Sequence, residues 1–404
     1  MADQTPTILQ IVPRLDTGGA ELSTLEIVAA LVRTGARALV ATEGGRMAER
    51  VTALGGEIIT LPLETKNPVT IFANGQRIAQ IVRERSVSLV HARSRAPAWS
   101  ALMAARRAGV AFVTTYHGAY GERGRIKRLY NSVMARGDTV IANSRYTSDL
   151  IRSRYGALAG TPVIIPRGVD IARFPPDSID AERRTRLRTA WGIEPHERVI
   201  LHAARLTTWK GQRVLIEAVG RLHGEGRLGN GMLVLAGDAQ GRNDYAEGLR
   251  QLAGELGISD RVRLVGHVED IAAAFAVAYV TVVASIEPEA FGRAAAEALA
   301  VGCPTMTTNI GAPPEILLAP PEVSREQATG WHVPARDAVA LAEAIAEALA
   351  MPDAERQAMS ARAVASIAAR FTVAAMQRQT LAVYDGLLGT QLAARFTASQ
   401  THPV

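Results

Sequence analysis

The chain has 404 residues, 48% hydrophobic and 21% charged, a length that suits two domains and a composition that excludes intrinsic disorder. Its one cysteine, Cys303, excludes an internal disulfide framework and a cysteine-based zinc cluster. A net charge of +6 and a pI near 9.7 favour anionic partners, and fifteen Arg and Lys residues between Arg77 and Arg154, Arg93, Arg123, Arg125 and Lys127 among them, face few acids.

Residues 7–12 read as a buried strand and 16–19 as a loop, after which Leu22, Leu25, Val28 and Val32 recur at helical spacing until Gly35. Strands follow at 37–42, 57–61, 88–91, 112–116, 139–143 and 162–166, with helical stretches between most of them. Residues 171–197, charged and carrying Pro175, Pro176 and Pro195, read as a crossing linker. A second series has strands at 199–204, 232–236, 262–265, 279–284 and 304–307. After Pro334 the text is helical, and from Thr390 a frayed end is expected. The uncharged runs 271–286 and 298–314 are short of a membrane span, and the first reads as a helix followed by a strand. The beginning lacks the marks of a secretory signal, so a cytoplasmic protein is expected.

Alternating strands and helices predict an α/β fold of two doubly wound domains facing across a cleft, with ligands at the carboxyl ends of the strands. Arg205 and Lys210 follow the strand 199–204, where two cations can hold a diphosphate. Glu289 and Glu297, eight residues apart, are read as sharing one side of a helix that begins near Phe291, about 12 Å apart along its axis. That separation suits a sugar at one end and a ribose at the other. Gly292 clears the backbone where a ligand approaches the first turn. Taken alone, two glutamates on a helix are more often a solvated face; the strand-to-helix junction and the thin alanine-rich helix favour a site.

Gly18 and Gly19 lie between the first strand and helix, where a bare backbone could meet the diphosphate. His117 follows the strand 112–116 and could donate a hydrogen bond to the reacting sugar or phosphate; His91, also at a strand end, is the weaker candidate. No two aspartates are separated by a single residue, so leaving-group charge is expected to be met by Arg205, Lys210 and a helix dipole without a metal or other cofactor.

These residues in this order resemble glycosyltransferase family 4, the retaining enzymes of the GT-B fold with two Rossmann-like domains. The carrying text is Gly18-Gly19-Ala20-Glu21, His117-Gly118, Ile165-Pro166-Arg167-Gly168-Val169-Asp170, Arg205 through Lys210-Gly211, Glu289-Ala290-Phe291-Gly292 through Glu297-Ala298, Gly302-Cys303-Pro304 and Thr329-Gly330. The resemblance implies an acceptor-side domain at 1–172, a nucleotide-sugar domain at 193–370, and a last helix near 371–388 crossing back onto the first. It implies that Arg205 and Lys210 hold the diphosphate and Glu297 the ribose. Glu289, with the backbone at Phe291 and Gly292, would hold the hexose, and His117 would sit beside it. Arg167 stands where the family usually has asparagine, and Ala312 where a second glycine often follows Gly311.

The implied activity is metal-independent transfer of a hexose from a UDP- or GDP-linked sugar. The first domain most resembles bacterial enzymes of lipopolysaccharide core biosynthesis, which implies an anionic glycolipid or saccharide acceptor and peripheral contact at the cytoplasmic face of the inner membrane. Two rivals remain. A glycoside hydrolase also uses two carboxylates, with Glu287 nearer to Glu289, but such pairs stand about 5–9.5 Å apart. A basic nucleic-acid- or membrane-binding module would use the arginine-rich half; with only 5% aromatics it lacks stacking platforms, and nucleic acid is not expected.

Overall fold

The computed structural model describes residues 5–16, 18–118, 120–121, 124–174 and 179–401. Arg123 of the basic run, Thr17 of the first loop, and Pro175 and Pro176 lie outside the described residues. The chain divides into two compact units, Met1–Gly168 with Val373–Val404, and Val169–Thr372.

Unit 1 carries strands β1 (Thr7–Ile11), β2 (Arg37–Thr42), β3 (Glu57–Thr60), β4 (Val87–Ala92), β5 (Ala111–Tyr116), β6 (Thr139–Ala142) and β7 (Val163–Ile164). They form one parallel sheet in the order β3-β2-β1-β4-β5-β6-β7. Its helices are α1 (Gly19–Arg33), α2 (Ala48–Ala53), α3 (Pro68–Glu84), α4 (Arg95–Ala108), α5 (Arg125–Asn131) and α6 (Arg145–Ala159). Local chemistry sets two of the helix starts. The Asn67 side chain accepts from Val69 N at 2.9 Å with Pro68 in the first turn, and Ser144 Oγ accepts from Thr147 N at 3.0 Å. Helices α3, α4 and α6 pack on one face of the sheet through Ile78, Ala101 and Tyr155, and α1 packs on the other through Leu25 and Val28.

Unit 2 carries β8 (Arg198–Ala203), β9 (Gly231–Ala236), β10 (Val262–Gly266), β11 (Ala278–Val283), β12 (Thr305–Thr308) and β13 (Gly330–Val333), parallel in the order β10-β9-β8-β11-β12-β13. Helices α7 (Ala181–Trp191), α8 (Gln212–Gly224), α9 (Asn243–Glu255), α10 (Ile271–Val277), α11 (Arg293–Ala300), α12 (Ala338–Ala350) and α13 (Asp353–Arg370) surround it. Both units have the doubly wound α/β organisation that the alternation predicts. Strand β13 is an addition to the sequence reading. It is four residues long, and at Gly330 a Cβ would meet Thr305 O at 1.9 Å, so the strand lies against β12 only because this residue is glycine.

Two readings are corrected. The stretch 171–197 is not simply a linker, because α7 occupies its middle, capped by Asp180 and tied to unit 2 by Arg183, whose Nη2 lies 2.8 Å from Asp270 Oδ1. Polar text hid this helix, since Leu187 and Trp191 are its apolar contacts with the core among the described residues. The end beyond Thr390 is not frayed: after α14 (Val373–Leu388), helix α15 (Leu392–Thr401) buries Leu392 and Phe396 against the α1 side of the unit 1 sheet. Asp385 caps it, accepting from Leu392 N at 2.7 Å and Ala393 N at 2.9 Å.

Helix α14 is pinned to the sheet of unit 1 through a buried polar chain. The Tyr384 hydroxyl lies 2.6 Å from His91 Nδ1, and His91 Nε2 lies 2.7 Å from Thr115 Oγ1. His91 is thus a packing residue held on both nitrogens, which removes it as a site candidate. Replacing Tyr384 by Phe leaves the buried His91 Nδ1 with only the 3.5 Å contact from Arg93 Nη1 and should cost about 1–3 kcal/mol. Urea unfolding of Tyr384→Phe checks this, and an unchanged midpoint would show that the hydroxyl does not hold the helix.

Candidate functional site

In unit 2 the strand order reverses between β8 and β11, and their carboxyl ends open a crevice of the kind that receives ligands in doubly wound sheets. The loop after β8 is drawn onto the loop after β11. Ile286 N donates to Trp209 O at 2.8 Å, and Gly211, at φ +77°, lies where a Cβ would meet Ala284 O at 1.9 Å. This close approach delivers Lys210 to Glu289, with Nζ 2.7 Å from Oε1 and both side chains about 15% exposed or less. Ser285 Oγ donates to the same carboxylate oxygen, and the Lys210 ammonium lies 4.3 Å from the centre of the Trp209 ring. Arg205 follows β8 at the same carboxyl edge of the sheet, exposed and with its side chain in no hydrogen bond or ion pair among the described residues. Its carbonyl accepts from the buried Gln212 Nε2 at 2.9 Å, and Tyr245 donates to Gln212 Oε1 at 3.0 Å.

The helix carrying Glu297 is shorter than the sequence suggests. α11 begins at Arg293, after Gly292 at φ +106°, and Glu289 precedes it, its carbonyl accepting from Ala312 N at 2.9 Å. The 12 Å helical rise between Glu289 and Glu297 therefore does not apply, nor does the exclusion of hydrolase geometry drawn from it. Glycine at 292 ends the irregular segment in a backbone conformation that side chains disfavour. Glu297, 14% exposed, pairs with Arg293 at 2.8 Å. The Phe291 side chain is buried against Phe371, ring centres 6.0 Å apart, so only its backbone can face a ligand.

Sequence reasoning missed Ser285 and His202. Ser285 is the second residue after β11, a position the strand-end rule already marks. His202 interrupts the apolar run of β8 and is 1% exposed, with Nδ1 2.7 Å from Val282 O and Nε2 unpartnered. Burial pulls its pKa down to about 4; the Val282 hydrogen bond opposes this, Lys210 adds to it, and Glu289 opposes it.

In unit 1, His117 Nδ1 lies 2.9 Å from Arg167 Nη2. A guanidinium can only donate, so Nδ1 accepts and the neutral imidazole carries its proton on Nε2, which is buried and unpartnered. Burial holds the His117 pKa well below its ordinary value, helped by Arg167, Arg93 and His91. The Gly19 backbone is not bare as expected. Arg167 Nη1 would lie 1.5 Å from a Cβ there, so glycine admits the arginine that stands where the family usually has asparagine; at Gly18 a Cβ would meet Glu21 Oε2 at 2.3 Å. Arg93, counted with the surface arginines, is 3% exposed and donates to Ser23 Oγ at 2.6 Å. Among the described residues no three His, Cys, Asp or Glu side chains are gathered to hold a metal.

A family model described as Glycosyltransferase Family 4 matches residues 17–173, and one described as Glycosyl transferases group 1 matches residues 183–365. The D-inositol 3-phosphate glycosyltransferase of Xylanimonas cellulosilytica is 36% identical over 182 residues, 44% of this chain and 42% of the relative. The chain spans about half the length of the curated relatives it matches. Among solved structures, a glycosyltransferase from Rickettsia africae ESF-5 is 29% identical with a TM-score of 0.86, covering 96% of this chain and 100% of that one. Anabaena HepE in complex with UDP and glucose is 25% identical with a TM-score of 0.76, covering 94% and 99%. Two parallel-sheet units with this strand order and these neighbours define the GT-B class. Within that class, the chain belongs to the glycosyltransferases of family 4 and group 1, one match falling on each unit.

Because folding lowers the His202 pKa, the unfolded chain takes up the proton first as pH falls. The contribution of this group to stability is complete above about 6.5 and declines toward about 4. Imidazole NMR should show His202 neutral until pH approaches about 4. Titration near 6.5 would mean that its environment is wet.

Proposed function

We propose that the protein is a retaining glycosyltransferase that moves a hexose from a UDP- or GDP-linked sugar onto a phosphorylated polyol or anionic saccharide acceptor. The observation that carries this reading is the Lys210–Glu289 pair where the strand order reverses between β8 and β11, with Arg205 following β8 on the same sheet edge. Two cations at strand ends suit a diphosphate, and a carboxylate held by Lys210 and Ser285 suits the hydroxyls of a hexose. Glu297, one α-helical turn beyond Arg293, suits the vicinal hydroxyls of a ribose.

On this reading the donor occupies unit 2 and the acceptor unit 1. As the bond between the anomeric carbon and the diphosphate oxygen breaks, negative charge grows on the departing phosphate, and Arg205 and Lys210 stabilise it. The acceptor hydroxyl attacks from the same face, its proton passing to a phosphate oxygen of the leaving group, so configuration is retained without a protein nucleophile. Neutral His117 supplies an Nε2–H donor to the sugar or acceptor. Diphosphate charge met by these cations and the first turn of α11 makes a metal unnecessary, and the reaction is assigned to the cytoplasm, where nucleotide sugars are made.

The Xylanimonas relative is a D-inositol 3-phosphate glycosyltransferase, which supports a phosphorylated polyol as acceptor, and the Anabaena complex with UDP and glucose supports UDP as the nucleotide. The likeness to lipopolysaccharide core enzymes rests on fold, which makes an anionic glycolipid the second acceptor class.

Thermal-shift screening against nucleotide sugars identifies the donor, since a ligand that binds only the folded state raises the melting temperature. Lys210→Ala should lower kcat about 100- to 1000-fold while circular dichroism stays unchanged; near-normal turnover would remove this account of the leaving group. Glu297→Ala should weaken nucleotide binding in calorimetry, and an unaltered Kd would take the ribose away from it.

A further inference from the structure

The charge of Lys210 is met by a carboxylate of its own chain. Nζ lies 2.7 Å from Glu289 Oε1, with the two side chains 15% and 13% exposed, so solvent screens the pair less than it would on an open surface. The partners differ in freedom. Lysine is a flexible stem with rotatable donors, whereas Glu289 is anchored. Ser285 Oγ donates to Glu289 Oε1, and the Ser285 carbonyl accepts from Thr308 Oγ1 at 2.7 Å. The Glu289 backbone is bridged to Gly311, at φ +72°, where a Cβ would meet Glu289 N and O at 2.6 Å each. Lys210 can turn to a ligand; Glu289, tied to the end of β12 and the segment after it, stays.

The charges at this sheet edge nearly cancel. Arg205 and Lys210 bring two positive charges and Glu289 one negative, while Glu297 is paired with Arg293 at 2.8 Å. Of these five groups one positive charge is left over. His202 adds none near neutral pH, since burial pulls its pKa down to about 4. A nucleoside diphosphate carries more negative charge than a nucleotide sugar, because the ester to the sugar removes the second ionisation of the terminal phosphate.

We propose that Glu289 selects between these two ligands: it holds the sugar of a nucleotide sugar and disfavours the nucleoside diphosphate that remains once the sugar has gone. This rests on the reading that the β8–β11 site takes a nucleotide sugar, and adds to it an opposite sign for each ligand. With a sugar present, hydroxyl groups donate to the anchored carboxylate in place of the ammonium, and Lys210 turns to the diphosphate. Without one, the carboxylate keeps Ser285 as its donor while the additional phosphate charge stands close by. The ammonium is then contested, and the nucleotide is held weakly. After transfer the same contest helps the product leave.

Calorimetry of the full chain with UDP and UDP-glucose, and with GDP and GDP-glucose, tests this. Glu289→Gln keeps the shape and hydrogen-bonding capacity of the side chain and removes its charge. It should tighten binding of the nucleoside diphosphate about tenfold and weaken binding of the sugar nucleotide several-fold. Damage to the fold cannot produce that pair of opposite shifts. The proposal is overturned if Glu289→Gln binds the free nucleoside diphosphate no more tightly than the native chain does, or if both ligands shift in the same direction. Lys210→Ala separates this outcome from failure of the underlying reading. Where Lys210→Ala weakens the nucleoside diphosphate and Glu289→Gln does not tighten it, selection by Glu289 alone falls. Where the native chain binds none of the four nucleotides, or Lys210→Ala binds them as well as the native chain, the donor site itself is misassigned and the proposal falls with it.

Discussion

The site of unit 2 depends on one close approach, the contact of the β8 loop with the β11 loop at Gly211. A side chain at this position would collide with the Ala284 carbonyl, so the glycine permits a contact that places an ammonium 2.7 Å from a carboxylate. Two charges withdrawn from water in this way lose hydration that their mutual attraction only partly returns. An ion pair of this kind is a poor device for stability and a good one for binding. Each partner is already oriented and partly desolvated, and each can turn to a ligand group of opposite or polar character.

Unit 1 solves a different electrostatic problem. Arg93 and Arg167 lie close to two histidines, and burial together with this positive surrounding keeps both imidazoles neutral. Neutrality has a use at His117, because the arginine on Nδ1 leaves a single donor on Nε2. At His91 the same neutrality serves packing, with the ring clamped between Tyr384 and Thr115. Two residues of one type at neighbouring strand ends thus take different roles, decided by which partners reach their nitrogens.

The basic character of the first half divides in the same manner. Arg93 and Arg167 are turned inward, onto Ser23 and His117 respectively, whereas Arg125, Lys127 and Arg128 are exposed. A net charge of +6 therefore describes two unrelated things, a buried field at strand ends and a surface suited to anionic partners.

Much of this was legible in the residues themselves. Apolar runs of strand length separated by helical periodicity announced two doubly wound sheets, because burial on both faces leaves an unmistakable pattern. Strand ends pointed to Arg205, Lys210, Glu289 and His117. Elements held by polar caps or few apolar anchors escaped notice: α7, tied down by Leu187, Trp191 and the Arg183–Asp270 pair, and β13, four residues long. Local sequence determined which residues could carry charge and where strands would end. Tertiary structure alone decided that Lys210 meets Glu289, that Glu289 lies outside α11, that Arg167 covers Gly19, and that Tyr384 reaches His91. Each of these joins residues from separate elements, and the distance between such residues is set by how the elements pack, a quantity that spacing along the chain does not contain.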